Sequence, residues 1–169
     1  LRMYLCVIIY HITKTGNGKE YYFENGRLIK SSNGISIVSS YRDENDKIVT
    51  YVIAYNSEGV VVEKKKAVAN TWIQLRGKWY YYDNNQKVTG YYTVENTKYY
   101  FDANGVMQTG WFKIDGEDYY AVSSGAIIAQ WVGSGNNWYY VDANGKMVTG
   151  DYKINEVVNR FDANGVCLG

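Results

Sequence analysis

The sequence holds a single histidine and matches none of the common catalytic motifs. His11 lies in an apolar stretch, so chemistry that depends on histidine has no second residue to work with. HExxH, CxxC, a phosphate-binding glycine loop and a GxSxG turn are all missing from the sequence. We therefore predict that this polypeptide is not an enzyme and that it uses no cofactor and no metal ion.

Cysteine, long apolar runs and clustered charge are also scarce. Cys6 and Cys167 are too few for a disulfide framework, and a bridge between the two ends stays open. No apolar run approaches the ~20 residues of a membrane helix, which argues against membrane insertion. The formal net charge is +1, and Lys64 to Lys66 form the one basic run, which reads as a solvated strand end. Nucleic acid, which needs clustered positive charge, is therefore not an expected partner.

Proline is absent, whereas glycine and tyrosine are abundant. The chain has 17 Gly and 19 Tyr, and 17% of its residues are aromatic. This composition predicts β-structure with many tight turns. The sequence does not begin with Met, and its apolar start has no small-residue cleavage site. We expect it to be an internal or C-terminal piece of a longer chain.

The chain is organised around a repeat of 20 residues. Three consecutive rows have the same pattern: YYTVENTKYYFDANGVMQTG, WFKIDGEDYYAVSSGAIIAQ and WVGSGNNWYYVDANGKMVTG. Each row has an opening aromatic, a polar turn, a tyrosine pair and a later glycine. The residue just before the tyrosine pair is called the pre-tyrosine position below. A fixed period of this size predicts a repeat architecture.

The pattern continues in both directions. Residues 72–90 form the same row with one residue deleted after Asn85, and residues 151–169 keep the FDANG segment but lack the opening aromatic and the tyrosine pair. Residues 13–30 fit again, and residues 51–62 are a looser copy. We predict an all-β solenoid of about seven stacked β-hairpins. A degenerate hairpin part over residues 1–70 would precede the regular array over residues 71–169.

Local signals place individual strands and turns. Residues 3–12, 35–41 and 48–55 are rich in residues that favour strands. Asn17-Gly18 and Asn25-Gly26 predict hairpins, because type I′ turns need positive φ at both central residues. No helix of any length is expected.

Alternation with a period of two assigns faces to the rows. Both the first residue of the tyrosine pair and the residue two places later are apolar or aromatic, so they should be buried: Tyr80/Tyr82, Tyr99/Phe101, Tyr119/Ala121, Tyr139/Val141, Tyr21/Phe23 and Ile53/Tyr55. The pre-tyrosine position tolerates Lys98, Asp118 and Glu20, so it should face water. Trp79 and Trp138 at this position are then exposed, which indicates a binding face, unless they pack between hairpins as core.

Asp102, Asp142 and Asp162 each begin a DANG segment and admit two interpretations. They could form carboxylate or calcium sites, or each could cap its own turn. Aspartate at the start of a turn bonds the backbone locally, and the third row has Val122 there without loss of the pattern. The interpretation that each aspartate caps its own turn is therefore favoured.

These rows resemble the cell-wall-binding (choline-binding-type) repeats of Gram-positive surface proteins, and equally the related repeats of glucan-binding glucosyltransferases and clostridial toxins. The resemblance rests on GKWYYYDNNQKVTGYY, KYYFDANGVMQTGW and NNWYYVDANGKMVTGD. It implies a left-handed superhelix of hairpins with ligand sites between neighbours. In choline binders, a site uses the opening and pre-tyrosine Trp of one row with an aromatic of the next.

The resemblance also implies which residues bind. The Trp pair occurs twice, as Trp72/Trp79 and Trp131/Trp138. Asp151 and Tyr152 follow the second pair, and the rows with Lys98 and Asp118 depart from the choline pattern and resemble the glucan or toxin type. The full set of expected ligand-binding residues is Trp72, Trp79, Tyr91, Tyr99, Trp111, Trp131, Trp138 and Tyr152.

Three functional hypotheses follow from these observations. The first is a non-catalytic module that anchors a secreted bacterial protein at the cell wall or cell surface by binding the choline of teichoic acid in aromatic boxes. The second is a module that binds glucan or another polysaccharide. The third is a structural spacer or protein-interaction array whose tyrosines only pack. Stacked aromatics suit a quaternary ammonium and a sugar face alike.

Overall fold

The computed structural model describes residues 10–31, 34–42, 48–67, 70–84 and 86–169, and these residues form strands, turns and loops only. Seventeen strands make seven antiparallel sheets, and no helix occurs in the described ranges. The predicted all-β repeat of hairpins is confirmed. The chain divides into two compact units, Leu1–Val88 and Thr89–Gly169.

The first unit holds three sheets of three strands each. The expected strands at 35–41 and 48–55 are confirmed, and the one expected at 3–12 is seen from Tyr10 onward, its earlier residues lying outside the described part. The strands are β1 (Tyr10–Lys14), β2 (Glu20–Glu24), β3 (Arg27–Leu28), β4 (Gly34–Arg42), β5 (Ile48–Tyr55), β6 (Val61–Ala67), β7 (Thr71–Leu75), β8 (Lys78–Asp83) and β9 (Gln86–Lys87).

One apolar cluster of this unit joins the first two sheets. Tyr22 and Ile53 are almost fully buried, and the ring of Tyr22 packs on that of Tyr55 with a centroid distance of 5.0 Å. The amide of Tyr22 donates to the carbonyl oxygen of Gly59 at 3.1 Å. Gly59 has φ +80°, and a Cβ there would stand 2.7 Å from the carbonyl oxygen of Ile29. Only glycine fits this close approach.

The second unit holds four two-stranded hairpins. Their strands are all five residues long, and each pair is in register without a bulge. The strands are β10 (Gly90–Val94), β11 (Thr97–Phe101), β12 (Gly110–Ile114), β13 (Glu117–Ala121), β14 (Gln130–Ser134), β15 (Asn137–Val141), β16 (Gly150–Ile154) and β17 (Val157–Phe161).

The hairpin turns are mostly of the two-residue type with positive φ. Asn25-Gly26 has φ of 49° and 76°, as predicted, and the same geometry recurs at Arg76-Gly77, Glu95-Asn96, Asp115-Gly116 and Asn155-Glu156. Asn17-Gly18 does form a hairpin, but in a five-residue loop in which Gly18 (φ 82°) has positive φ and Asn17 does not. The prediction of a type I′ turn at Asn17-Gly18 was therefore wrong.

The DANG segments form loops capped by their own aspartate. The Asp142 carboxylate accepts from the amides of Asn144 (2.8 Å) and Lys146 (3.0 Å), and Asp102 and Asp162 do the same in their loops. The capping interpretation is confirmed. Val122 keeps the backbone bonds of the loop without the side-chain ones, since its carbonyl oxygen accepts from Gly125 at 2.7 Å.

Successive repeats of the second unit are joined by backbone hydrogen bonds. The pre-tyrosine carbonyl oxygens of Lys98, Asp118 and Trp138 accept at 2.8 Å from amides 29 positions later, those of Ile127, Met147 and Cys167. The loop that follows one hairpin therefore lies against the preceding hairpin of the array, one repeat earlier in the chain. Gly145 sits at such a contact, where a Cβ would stand 2.8 Å from the carbonyl oxygen of Tyr120. This confirms the stacking of hairpins.

The assignment of faces is confirmed in part. Trp79 and Trp138 are 41% and 58% exposed, and Phe101, Ala121 and Val141 are buried. Among the residues expected to be buried, however, five are only half-buried: Tyr21, Phe23, Tyr99, Tyr119 and Tyr139. The opposite face is also less open than predicted, because the second tyrosine of the pair is covered by the opening aromatic. Val52, in the middle strand of its sheet, is fully buried.

Candidate ligand-binding grooves

The opening aromatic of each row is held by the second residue of the tyrosine pair. The two lie directly opposite on the paired strands, as in Trp131↔Tyr140. The ring centroids are 5.0 to 5.3 Å apart in the four cases, which are Trp72/Tyr81, Tyr91/Tyr100, Trp111/Tyr120 and Trp131/Tyr140. This edge-on contact fixes the orientation of the opening ring, which is 37–43% exposed in Tyr91, Trp111 and Trp131.

The clearest groove of the second unit is built around Trp131 and Trp138. These two rings come from one hairpin and are 38% and 58% exposed. We call this space, of about 500 Å³, the second groove; its lining is Trp131, Asn136, Asn137, Trp138, Val166 and Cys167. The lining contains no Asp, Glu, Lys or Arg.

The far wall of the second groove comes from the next repeat. Val166 and Cys167 belong to the loop that follows β17, and the amide of Cys167 donates to the carbonyl oxygen of Trp138 at 2.8 Å. The ring of Phe161 packs on Trp131 with a centroid distance of 5.7 Å. Room for Trp138 is provided by Gly133 on the opposite strand, where a Cβ would meet the indole ring at 3.4 Å. The groove thus depends on two consecutive repeats.

Another space lies around Trp72 and Trp79, in the first unit. Their rings meet edge to face, with centroids 6.3 Å apart and planes at 85°. We call this space, of about 520 Å³, the first groove; its lining is Glu63, Lys65, Lys66, Thr71, Trp72, Ile73, Gln74, Arg76, Gly77 and Trp79. The first groove therefore combines one exposed indole ring, that of Trp79, and one half-buried indole ring, that of Trp72, with charged side chains.

The rows without a pre-tyrosine Trp have polar contacts at that position. The Lys98 ammonium donates to Asn144 Oδ1 at 2.9 Å, and the Tyr91 hydroxyl donates to the Asn144 carbonyl oxygen at 3.0 Å. Asp118 accepts from Lys113 at 2.8 Å. Burial of the phenol raises the pKa of Tyr91 to about 12, with smaller contributions from Tyr119, Asp142 and Tyr100. In these rows the protein's own loop and side chains fill the position that a tryptophan has elsewhere.

The other expected binding residues lie outside the second groove. The Trp111 ring packs between Tyr120 and Tyr139 at centroid distances of 5.2 and 5.4 Å. Tyr99 lies 6.5 Å from Phe101, and Tyr152 lies 5.8 Å from Tyr140, again between centroids. The structure therefore brings together Trp72 with Trp79 and Trp131 with Trp138. A box that combines the first pair with Tyr91 and Tyr99 stays a prediction.

The sequence prediction missed several lining residues. In the second groove these are Asn136, Asn137, Val166 and Cys167. The 29-residue step from Trp138 to Cys167 recurs from Lys98 to Ile127 and from Asp118 to Met147, but it is a contact between stacked hairpins. In the first groove they are the charged residues of β6 and of the turn after β7. The residues of β6 belong to the degenerate part, where the repeat pattern offers no register, whereas Arg76 lies in a regular row at a turn position whose residue type varies from row to row.

Among the residues that the structure describes, no group of three or more His, Cys, Asp or Glu side chains could hold a metal ion. No helix in the same ranges is long and apolar enough to cross a membrane.

Family models match the regular part of the chain. Residues 88–131 match the model of a choline-binding repeat, and residues 70–85 and 130–147 match that of a cell wall binding repeat. The matched part of the chain, within residues 70–147, therefore carries cell-wall-binding repeats of the choline-binding type, which confirms the resemblance seen in the sequence. These are the repeats of a binding module. No curated protein matches the chain.

Solved structures of choline-binding proteins have a similar fold. Choline binding protein F from Streptococcus pneumoniae is 26% identical over 88% of this chain and 55% of its own, with a TM-score of 0.56. The same protein in the presence of a peptidoglycan analogue is 27% identical over 88% of this chain and 55% of its own, with a TM-score of 0.54. CbpF in complex with ipratropium is 28% identical over 94% of this chain and 50% of its own, with a TM-score of 0.56. This chain thus spans about half the length of these relatives.

Proposed function

We propose that this chain is a non-catalytic module that anchors a secreted bacterial protein to the cell wall or cell surface by binding the choline groups of a wall polymer such as teichoic acid. The observation that carries the proposal is the second groove. Its two exposed indole rings, 38% and 58% accessible, face a space whose lining is uncharged. Such a space favours a quaternary ammonium, which binds aromatic faces by cation–π attraction of ~0.5–2 kcal/mol per ring.

Similar proteins support this choice of ligand. Choline binding protein F, which has the same fold, is known with a peptidoglycan analogue and with ipratropium. In this chain the candidate site is a pair of Trp residues from one hairpin closed by the loop of the next repeat. The third wall at the second groove is formed by Val166 and Cys167, so the site has two aromatic walls and an apolar one.

Affinity at one such groove is expected to be weak. Two rings give only a few kcal/mol before the cost of ordering the ligand is subtracted. A polymer with many choline groups can engage several grooves at once, which raises the overall affinity through effective concentration. Further repeats in the rest of the parent protein would act in the same way.

Binding of a glucan or another oligosaccharide is the second candidate. It is favoured by the exposed aromatics that lie outside the second groove, because Tyr91 and Trp111 are 43% and 37% exposed in successive rows. Sugar rings stack on such faces without needing a closed box. A polysaccharide could then lie across several hairpins.

The test is a fluorescence titration of the whole chain with choline and, separately, with glucan oligosaccharides. Three proteins are compared: wild type, Trp138→Ala and the matched control Trp111→Ala, which removes a Trp outside the second groove. We expect choline to perturb wild type and Trp111→Ala, and to have a clearly weaker effect on Trp138→Ala. Equal responses of the two variants to glucan, with none to choline, would favour the second candidate. No response to either ligand would leave the spacer hypothesis.

A further inference from the structure

Two methionine side chains make contacts between successive repeats of the second unit. At Gly165, a Cβ would stand 2.5 Å from the sulfur of Met147 and 2.8 Å from its terminal methyl carbon. Met107 meets Gly125 in the same way two rows earlier. In each case the methionine of one loop fills the space that a side chain on the glycine of the next loop would need.

The contact of Met147 lies directly beside the second groove. Gly165 is buried, and it is followed at once by Val166 and Cys167, which form the far wall of that groove. The same wall is tied to the preceding hairpin by the hydrogen bond from the Cys167 amide to the Trp138 carbonyl oxygen. The way in which this loop sits on Met147 therefore sets the position of the wall relative to Trp138.

The thioether of Met147 is open to oxidation. Met147 is half-buried, which leaves part of the residue accessible to a small hydroperoxide. Such an oxidant transfers one oxygen atom to the sulfur: the O–O bond breaks, an S–O bond forms, and the departing hydroxide takes up the remaining proton to leave as water. The thioether is thereby oxidised to a sulfoxide while the peroxide is reduced. A sulfoxide is polar and disrupts apolar contacts that the thioether makes.

We propose that Met147 is an oxidation site that controls the second groove, because its sulfoxide unseats the loop at Gly165, displaces the far wall and weakens choline binding. The added oxygen needs room and a hydrogen-bond donor at the place where Gly165 now lies against the sulfur. Met147 is not part of the groove lining, so it acts as a positioning residue. The proposal rests on the proposed function and adds a form of regulation to it.

The third row has the same contact without a sulfur atom. A Cβ at Gly145 would stand 3.0 Å from Cγ2 of Ile127, which takes the place of the methionine there. A branched aliphatic side chain can therefore seat the loop as well as a thioether does. This makes leucine a suitable substitute for Met147, since it keeps the apolar volume and cannot be oxidised in this way.

The test compares two variants of the whole chain: Met107→Leu, which keeps Met147 oxidisable, and the matched control Met147→Leu, which keeps Met107 oxidisable. Each is titrated with choline by tryptophan fluorescence before and after treatment with hydrogen peroxide. Mass spectrometry confirms the oxidation. We expect peroxide to weaken choline binding about three- to tenfold in Met107→Leu and to leave Met147→Leu unchanged.

Oxidation of other residues is controlled within the same experiment. Met3, Cys6 and Cys167 are present in both variants, so their oxidation affects both alike. A thiol reductant added after the peroxide reverses sulfenic acids and disulfides but leaves methionine sulfoxide in place. In the wild type, methionine sulfoxide reductases should restore the binding that the thiol does not restore, which tests the proposal without a substitution.

Hydrogen exchange gives a readout that does not depend on a ligand. Oxidation of Met147 should speed exchange of the Cys167 amide, which bonds to Trp138 across the repeat contact. Oxidation of Met107 should instead speed exchange of the Ile127 amide, which makes the corresponding bond two rows earlier.

Choline binding that survives oxidation of Met147, or equal losses in the two variants, would overturn the proposal and leave the proposed function in place. Recovery of binding with the thiol alone would assign the effect to cysteine and overturn it as well. Exchange of the Cys167 amide that is unchanged by oxidation of Met147 would show that the wall does not move, again against the proposal. If the untreated wild type does not bind choline, the proposed function fails, and the control of this groove fails with it.

Discussion

At the scale of single residues, the tyrosines of this chain have two different environments. The hydroxyl of Tyr91 is satisfied by Asn144, and its ring is 43% exposed. The hydroxyl of Tyr82 is buried and finds no hydrogen-bond partner among the described residues. Burial, with a smaller contribution from Tyr80, raises the pKa of Tyr82 well above its ordinary value. A buried hydroxyl without a partner costs free energy that a phenyl ring would not.

We therefore expect Tyr82→Phe to raise the free energy of unfolding by about 1 kcal/mol, because it removes an unsatisfied polar group from the interior. The measurement is a urea melt. Tyr91→Phe is the control, since it removes a hydroxyl that donates a hydrogen bond, and it should leave stability unchanged or lower it by up to about 1 kcal/mol. A loss of more than about 1 kcal/mol in Tyr82→Phe would mean that this hydroxyl has a partner.

At the scale of the repeat, the loop after each hairpin holds its shape with or without the aspartate. Asn56 takes the aspartate's place in the looser copy, where its Oδ1 accepts from Glu58 and Val60, both at 3.0 Å. Val122 has only the backbone bonds. The side chain is therefore an addition to a loop that the glycine and the backbone already define.

This makes Val122→Asp a stabilising substitution. The aspartate should accept from the amides at 124 and 126, as Asp142 does at 144 and 146, and raise the free energy of unfolding by about 1 kcal/mol. Asp142→Ala, which removes the same cap from the next row, should lower it by about 1–2 kcal/mol. Thermal or urea melts measure both. If Val122→Asp destabilises while Asp142→Ala behaves as expected, the third row has a loop of its own kind.

The regularity of the repeat decides what the sequence can predict. Where rows align, as at Tyr99 and Tyr139, period and alternation predict the hairpins, the loops and the exposure of Trp138. They do not show that the second tyrosine of each pair lies beneath the opening aromatic, because alternation ignores cross-strand pairs. Val166 and Cys167 were missed since they contact Trp138 through stacking, 28 and 29 positions away along the chain. In the degenerate part, Lys65 has no row to align with.

At the scale of the whole molecule, burial in the second unit follows the position within the row. Phe101 is fully buried, and Phe161 at the same row position in the last hairpin is 3% exposed. Val157 and Val158 of β17, by contrast, are each 62% exposed.

The cost of truncating a side chain should follow the same difference in burial. Phe101→Ala removes a fully buried ring and should lower the free energy of unfolding by about 3–5 kcal/mol. Val157→Ala removes an exposed side chain and should cost less than about 1 kcal/mol. Urea melts of the whole chain compare the two. Equal losses would mean that the side chain of Val157 is packed as tightly as that of Phe101.

The central claim is that this module holds choline on a bacterial wall polymer, and a sedimentation assay tests it most directly. The whole chain is mixed with purified cell walls that carry choline and with the same walls after the choline has been removed chemically. We predict that the chain sediments with the first, that free choline releases it, and that Trp138→Ala weakens the interaction. Equal binding to both wall preparations, unaffected by free choline, would contradict the account.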